Sequence, residues 1–92
     1  MKNKYSLSVI VYIKKKYAYS ERVEQMIMLA VNLGSVNIGG GADLSSGKRY
    51  QHFIFKTIND VQTFLDYPTV REAILSEVNV VPAGEYYDIC KT

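Results

Sequence analysis

The chain has 92 residues, 48% of them hydrophobic, with 11 basic side chains against 9 acidic ones for a formal charge of +2. That length holds one hydrophobic core and excludes a second, so a single domain spanning 1–92 is expected, and one this small gains from a partner subunit. The near-balanced charge gives no general polyanion signature, and no apolar run is long enough for a spanning helix.

Tyr5 to Ile13 (YSLSVIVYI) is rich in β-branched and aromatic residues, with Leu7, Val9, Val11 and Ile13 on one face at period two, and predicts a first strand. Lys14, Lys15 and Lys16 then form a local basic run, read as a solvated strand end. From Ser20 to Leu33 the apolar period turns helical through Val23, Met26, Ile27, Ala30 and Leu33, and Gly34 stops the helix. Ser35 to Ile38 predicts a short strand running into Gly39, Gly40 and Gly41, where a bulge, a bend or a close backbone approach is expected. Asp43 to Gly47 turns the chain, and Arg49 to Phe55 (RYQHFIF) predicts a central strand.

Thr57 and Asp60 stand at capping spacing ahead of a second helix that directs Val61, Phe64 and Leu65 inward. Pro68 interrupts it. Proline inside a helix removes a hydrogen bond and costs roughly 3 kcal/mol, but at the first position of a new helix it costs little. Two helices are therefore predicted, Ile58 to Asp66 and Pro68 to Leu75, joined by a kink at Asp66-Tyr67. A last strand is predicted at Glu85 to Cys90 (EYYDIC), after the turn-prone Pro82-Ala83-Gly84, with Tyr86 and Tyr87 on its two sides.

This β-α-β-β-α-β order, with right-handed crossovers, specifies an α+β ferredoxin-like plait: a four-stranded antiparallel sheet with the helices on one face and the second helix kinked at Pro68. If Leu7, Val9, Val11, Ile13, Phe53 and Phe55 meet the helices, the open face holds Ser8, Ile10, Tyr12, Tyr50, His52 and Ile54. A face that apolar and aromatic marks an interface or a ligand site.

Two resemblances concern that face. Val11-Tyr12-Ile13 and KRYQHFIF, Lys48 to Phe55, are similar in part to the two signatures of the RNA-recognition motif, with Tyr50 and His52 at the base-stacking positions. Arg49 and Gln51 depart from it, standing where that family uses glycine or a small residue. The longer resemblance is to the dimeric α/β-barrel superfamily, in particular the stress-responsive A/B-barrel domain proteins. FKTINDVQTFLDYP, from Phe55 onward, resembles that family's strand end, helix start, aromatic residue and proline without a gap. Phe64 stands at its helix tyrosine, Pro68 at its His-Pro proline and Asp88 at the acidic residue of its last strand, and SVNIGGGADLSS is similar to its second strand and the glycine that follows. The resemblance implies a homodimer whose open sheet faces pair into a barrel. It also implies a pocket between sheet and helices, walled by the kinked helix at Phe64, Tyr67 and Val70.

The family's catalytic groups are not carried over. Ser8, Val70, Phe64 and Tyr67 stand where cyclase-type members use histidine or tyrosine, and the tryptophan of the haem-degrading members is missing because the chain has none. His52 remains as a candidate acid or base, with Tyr12 beside it to polarise a carbonyl; a structural role for His52 carries more weight because the spacing supplies no orienting partner. The Gly41–Gly47 interval is one residue too long for a phosphate-binding loop and precedes a strand, so a hairpin is expected there. One histidine and one cysteine with scattered carboxylates show no metal-ligand spacing, and no cofactor is expected.

Two functions follow as expectations. The first is a homodimer that binds a small apolar or aromatic molecule through Ser8, Ile10, Tyr12, Tyr50, His52, Ile54, Phe64, Tyr67 and Val70. The second is a non-enzymatic module whose open sheet binds single-stranded nucleic acid or blocks a nucleic-acid-handling protein, as small mobile-element inhibitors do. A cytoplasmic location is expected in either case, because the lone Cys90 forms no internal disulfide and no secretion signal, lipidation motif or membrane segment is read.

Overall fold

The computed structural model describes residues 7–82. Within them the chain forms β1 (Leu7–Ile13), a 3-10 turn (Lys15–Tyr17), α1 (Glu21–Asn32), β2 (Val36–Ala42), β3 (Arg49–Phe55), α2 (Ile58–Asp66), α3 (Pro68–Ala73) and β4 (Ile74–Pro82). The strands make one antiparallel sheet in the order β2-β3-β1-β4. β3 lies between β1 and β2, and β1 between β3 and β4, so each half is a split β-α-β unit and the fold is the ferredoxin-like plait.

The helices begin and end where side-chain chemistry sets them. Ser20 Oγ accepts from the Arg22 amide at 3.2 Å to open α1. Gly34, at φ +90°, closes it: its amide reaches the Val31 carbonyl and the Ser35 amide the Ala30 carbonyl, the paired bonds of a Schellman end. Thr57 Oγ1 opens α2 by accepting from the Asp60 amide at 3.1 Å. Tyr67 then takes extended backbone (φ −61°, ψ 131°), the conformation a following proline favours, and Pro68 starts α3 with the Val70 and Arg71 amides donating to the Tyr67 carbonyl. The kink predicted at Asp66-Tyr67 is therefore a clean break between two helices.

One sheet face and the helices enclose the core of Val9, Val11, Ile13, Met26, Phe53, Phe55, Val61, Phe64 and Val70. Phe64 seats between Phe53 and Phe55, with ring centroids at 5.2 and 5.3 Å. Full burial of such a side chain contributes about 1.5–3 kcal/mol, and edge-to-face packing adds to that.

Three boundaries differ from expectation. β2 extends through the glycines to Ala42, its register against β3 slipping between Asn37 and Gly39 so that Ile38 is the extra residue of a bulge. α3 stops at Ala73, short of Leu75. The fourth strand is Ile74–Pro82, reached directly from α3, whereas the stretch expected to form it, Glu85 to Cys90 with Tyr86, Tyr87 and Asp88, lies outside the described residues. The pairing gives the reason: Val80 and Val78 sit opposite Val9 and Val11, an alternation that Glu77 and Asn79 disguise by taking the other face. Pro82 is tolerated because β4 is at the edge of the sheet. Among the described residues no helix is long and apolar enough to cross a membrane.

Candidate functional site

Residues directly opposite in an antiparallel sheet share a face, so the register lays out the side away from the described helices as rows across the strands. The first row is Val36, Ile54, Ser8 and Val81; the second is Gly39, His52, Ile10 and Asn79; the third contains Gly41, Tyr50 and Tyr12. All six residues expected on this face are there. Their exposure is uneven: Ser8 and Ile54 are buried, at 6% and 4%, between the exposed Val36 and Val81, while Ile10, His52, Tyr12 and Tyr50 are half-buried.

Ser8 and His52 are diagonal neighbours on β1 and β3, and Ser8 Oγ lies 2.6 Å from His52 Nε2. Burial lowers the His52 pKa below the ordinary histidine value, so the ring is neutral at pH 7 and the proton in this bond sits on one partner according to the tautomer. The bond answers the orienting-partner question left by the sequence. It satisfies the polarity of a buried serine, a structural task, and it also has the length of a nucleophile–base contact.

Tyr12 and Tyr50 face each other across the central pair, edge to face at 6.4 Å. Asn79 Nδ2 approaches the Tyr12 hydroxyl at 3.5 Å, and Lys48 Nζ lies 5.8 Å from the Tyr12 ring centre. On the other side the Tyr50 ring covers Gly41, where a Cβ would come 3.1 Å from the hydroxyl oxygen. Ile10, Tyr12, Tyr50 and His52 line an open depression of about 390 Å³, bordered by Ala42, Asp43 and the fully exposed Leu44. Its chemistry is that of an apolar, aromatic seat with a few polar groups, the usual make-up of a small-molecule site.

The hairpin supporting that rim is held by Asp43. Its carboxylate accepts from the Ser45 hydroxyl at 2.7 Å and from the Ser45 and Ser46 amides, which together hold its pKa below the ordinary carboxylate value. The Asp43 amide donates to the Lys48 carbonyl, and Gly47 turns the chain at φ +74°.

The three residues nominated on the kinked helix lie on the other side of the sheet. Phe64 and Val70 are fully buried in the core, and Tyr67 packs against it. A separate depression of about 590 Å³ opens where α2 and α3 meet β4, lined by Leu65, Arg71, Ile74 and Val78 rather than by those three. The structure thus brings Ile10, Tyr12, Tyr50 and His52 together in one depression, sets Ser8 against His52, and leaves Phe64, Tyr67 and Val70 apart. Sequence reasoning missed Val36, Lys48, Asn79 and Val81; the last two were hidden with β4 itself. Among the described residues no group of three histidine, cysteine or acidic side chains is placed to hold a metal ion. Comparison of the chain with protein-family models, curated proteins and solved structures finds no match.

Proposed function

We propose that the chain is a binding protein that pairs through its open sheet face into a homodimer of the α/β-barrel kind and encloses a small apolar or aromatic ligand there. The observation that supports this most is the cross-strand Tyr12–Tyr50 pair beside Ile10 and His52, half-buried on the face opposite the described helices. The exposed Val36 and Val81, at 40% and 52%, extend its apolar character to both edge strands. A face of this composition is covered in functioning proteins, and the resemblance of FKTINDVQTFLDYP to the A/B-barrel proteins supports a second copy as the cover.

Titration with naphthalene, followed by tyrosine fluorescence, tests the ligand half of the proposal. Saturable quenching that is lost in Tyr50→Ala and altered in His52→Ala is expected; an identical response in both variants removes the depression from the site. No reaction is assigned, although His52 as base and Tyr12 as hydrogen-bond donor to a carbonyl are the groups to which one would fall.

A second reading, a non-enzymatic module for single-stranded nucleic acid or for a protein that handles it, draws on one specific observation. Tyr12 on β1 and Tyr50 and His52 on β3 present aromatic surface on the two central strands, with Lys48 beside Tyr12 at 5.8 Å. Salt-dependent binding of a single-stranded oligonucleotide by a monomer favours it over the first.

A further inference from the structure

A cleft of about 450 Å³ lies beyond the open face, between the β2–β3 hairpin, the turn after β1 and the start of β4. Its floor is apolar, from Ile13, Ala18 and Leu75. Around it stand Lys15, Lys48 and Arg49 with Tyr19 and the Ser46-Gly47 turn, and among the described residues no carboxylate lines it. Three cations from two separate stretches of chain therefore surround one concavity that no acid among the described residues lines. Lys48 is partly offset from outside the lining, by Glu77 at 3.9 Å and by the charge of Asp43, whose carboxylate is otherwise turned into its own loop.

Tyr19 adds a second, independent feature. It is 84% exposed, yet the Arg49 guanidinium lies 4.8 Å from its ring centre, so the ring is held at the mouth of the cleft by a cation on one side and remains accessible elsewhere. Lys16 and Arg22, by contrast, are drawn to the neighbouring Tyr17 ring. The Ser46 hydroxyl oxygen accepts from the Lys48 amide at 3.3 Å, which leaves its proton to donate. The Gly47 amide is spent on the Asp43 carbonyl, so an anion here is held by side chains and not by a backbone loop.

We infer that this cleft binds a nucleoside phosphate, the base stacking on Tyr19 and the phosphate reaching Lys15, Lys48 and Arg49. An aromatic platform beside clustered cations suits a ligand that is planar at one end and anionic at the other. The source is either a free nucleotide or one residue of a single strand. The cleft shares Lys48 with the Tyr12 side of the open face, whereas Lys15, Tyr19 and Arg49 line the cleft and not the depression of that face, so variants at Lys15 and Tyr19 separate the two.

The experiment is an NMR titration of the whole chain with AMP, with adenosine, inorganic phosphate and a short oligodeoxyadenylate as comparisons. AMP is expected to shift the Ser46, Gly47 and Lys48 amides and the Tyr19 ring, to bind more tightly than adenosine or phosphate alone, and to weaken as salt is raised. Tyr19→Leu is expected to lower AMP affinity roughly fivefold or more, the low end for losing one base–aromatic stack. Lys15→Gln, at an exposed position that leaves the fold intact, is expected to weaken AMP and leave adenosine unchanged. A tighter, equally Tyr19-dependent response to the oligonucleotide assigns the site to a strand, and no gain over AMP assigns it to a free nucleotide. Equal binding of AMP and adenosine, unchanged affinity in Tyr19→Leu, or shifts centred on Tyr12 and Tyr50 would overturn the inference.

Discussion

His52 shows how one side chain's surroundings decide its charge. The native ring is neutral because burial disfavours the imidazolium, whereas the unfolded ring titrates near pH 6.5. Between its lowered native pKa and pH 6.5 the unfolded chain binds the extra proton, so stability must fall as pH drops through that window. Chemical denaturation from pH 7.5 to 5 is predicted to show this decline, and His52→Gln to flatten it; an equally steep decline in the variant would place the effect elsewhere. Gly40 is a second residue whose role is set by its neighbours. A Cβ there would collide with the Gln51 side chain and come 2.6 Å from the Tyr50 carbonyl oxygen, so Gly40→Ala is predicted to destabilise by about 1–3 kcal/mol in urea melts, as overpacking does. Wild-type stability in that variant would show that β2 moves aside freely. The face on which His52 lies was legible from period-two alternation in RYQHFIF, whereas its hydrogen bond to Ser8 was not, because a diagonal contact depends on the β1–β3 register.

The elements divide by how local their signals are. α1 and the broken second helix were legible because Gly34, Thr57 and Pro68 act on residues within a turn of themselves, and β3 because RYQHFIF alternates within its own seven residues. β4 was not, since its pattern of valines separated by Glu77 and Asn79 acquires meaning only when β1 lies beside it. Amide hydrogen exchange checks the assignment: slow exchange is predicted within 77–81 at amides bonded to β1, and rapid exchange throughout that segment would contradict a strand there. Phe64 links the kinked helix to the sheet through Phe53 and Phe55. Phe64→Ala is accordingly predicted to cost about 3–5 kcal/mol in thermal or urea unfolding, enough to unfold much of so small a domain. A loss below ~1 kcal/mol would mean that the helix pair is not anchored by this ring.

At the scale of the molecule, the described helices cover one face of the sheet and lie away from the other. The burial of Phe53, Phe55, Val9 and Val11 against the helices, and the half-exposure of Tyr12 and Tyr50 opposite, are two outcomes of the same alternation. That division was legible in the sequence. The shape of the depression was not, because Leu44, Ala42 and Asp43 reach it only through the bulged β2 and its hairpin. Solution mass by light scattering tests most directly the proposal that a second copy covers the open face. A mass twice the chain's 10.4 kDa is predicted, collapsing to that of one chain in Tyr12→Glu, which would bury a charge at the centre of the pairing face without touching the core. A wild-type mass of one chain across the micromolar range, or a dimer that Tyr12→Glu leaves intact, would contradict it.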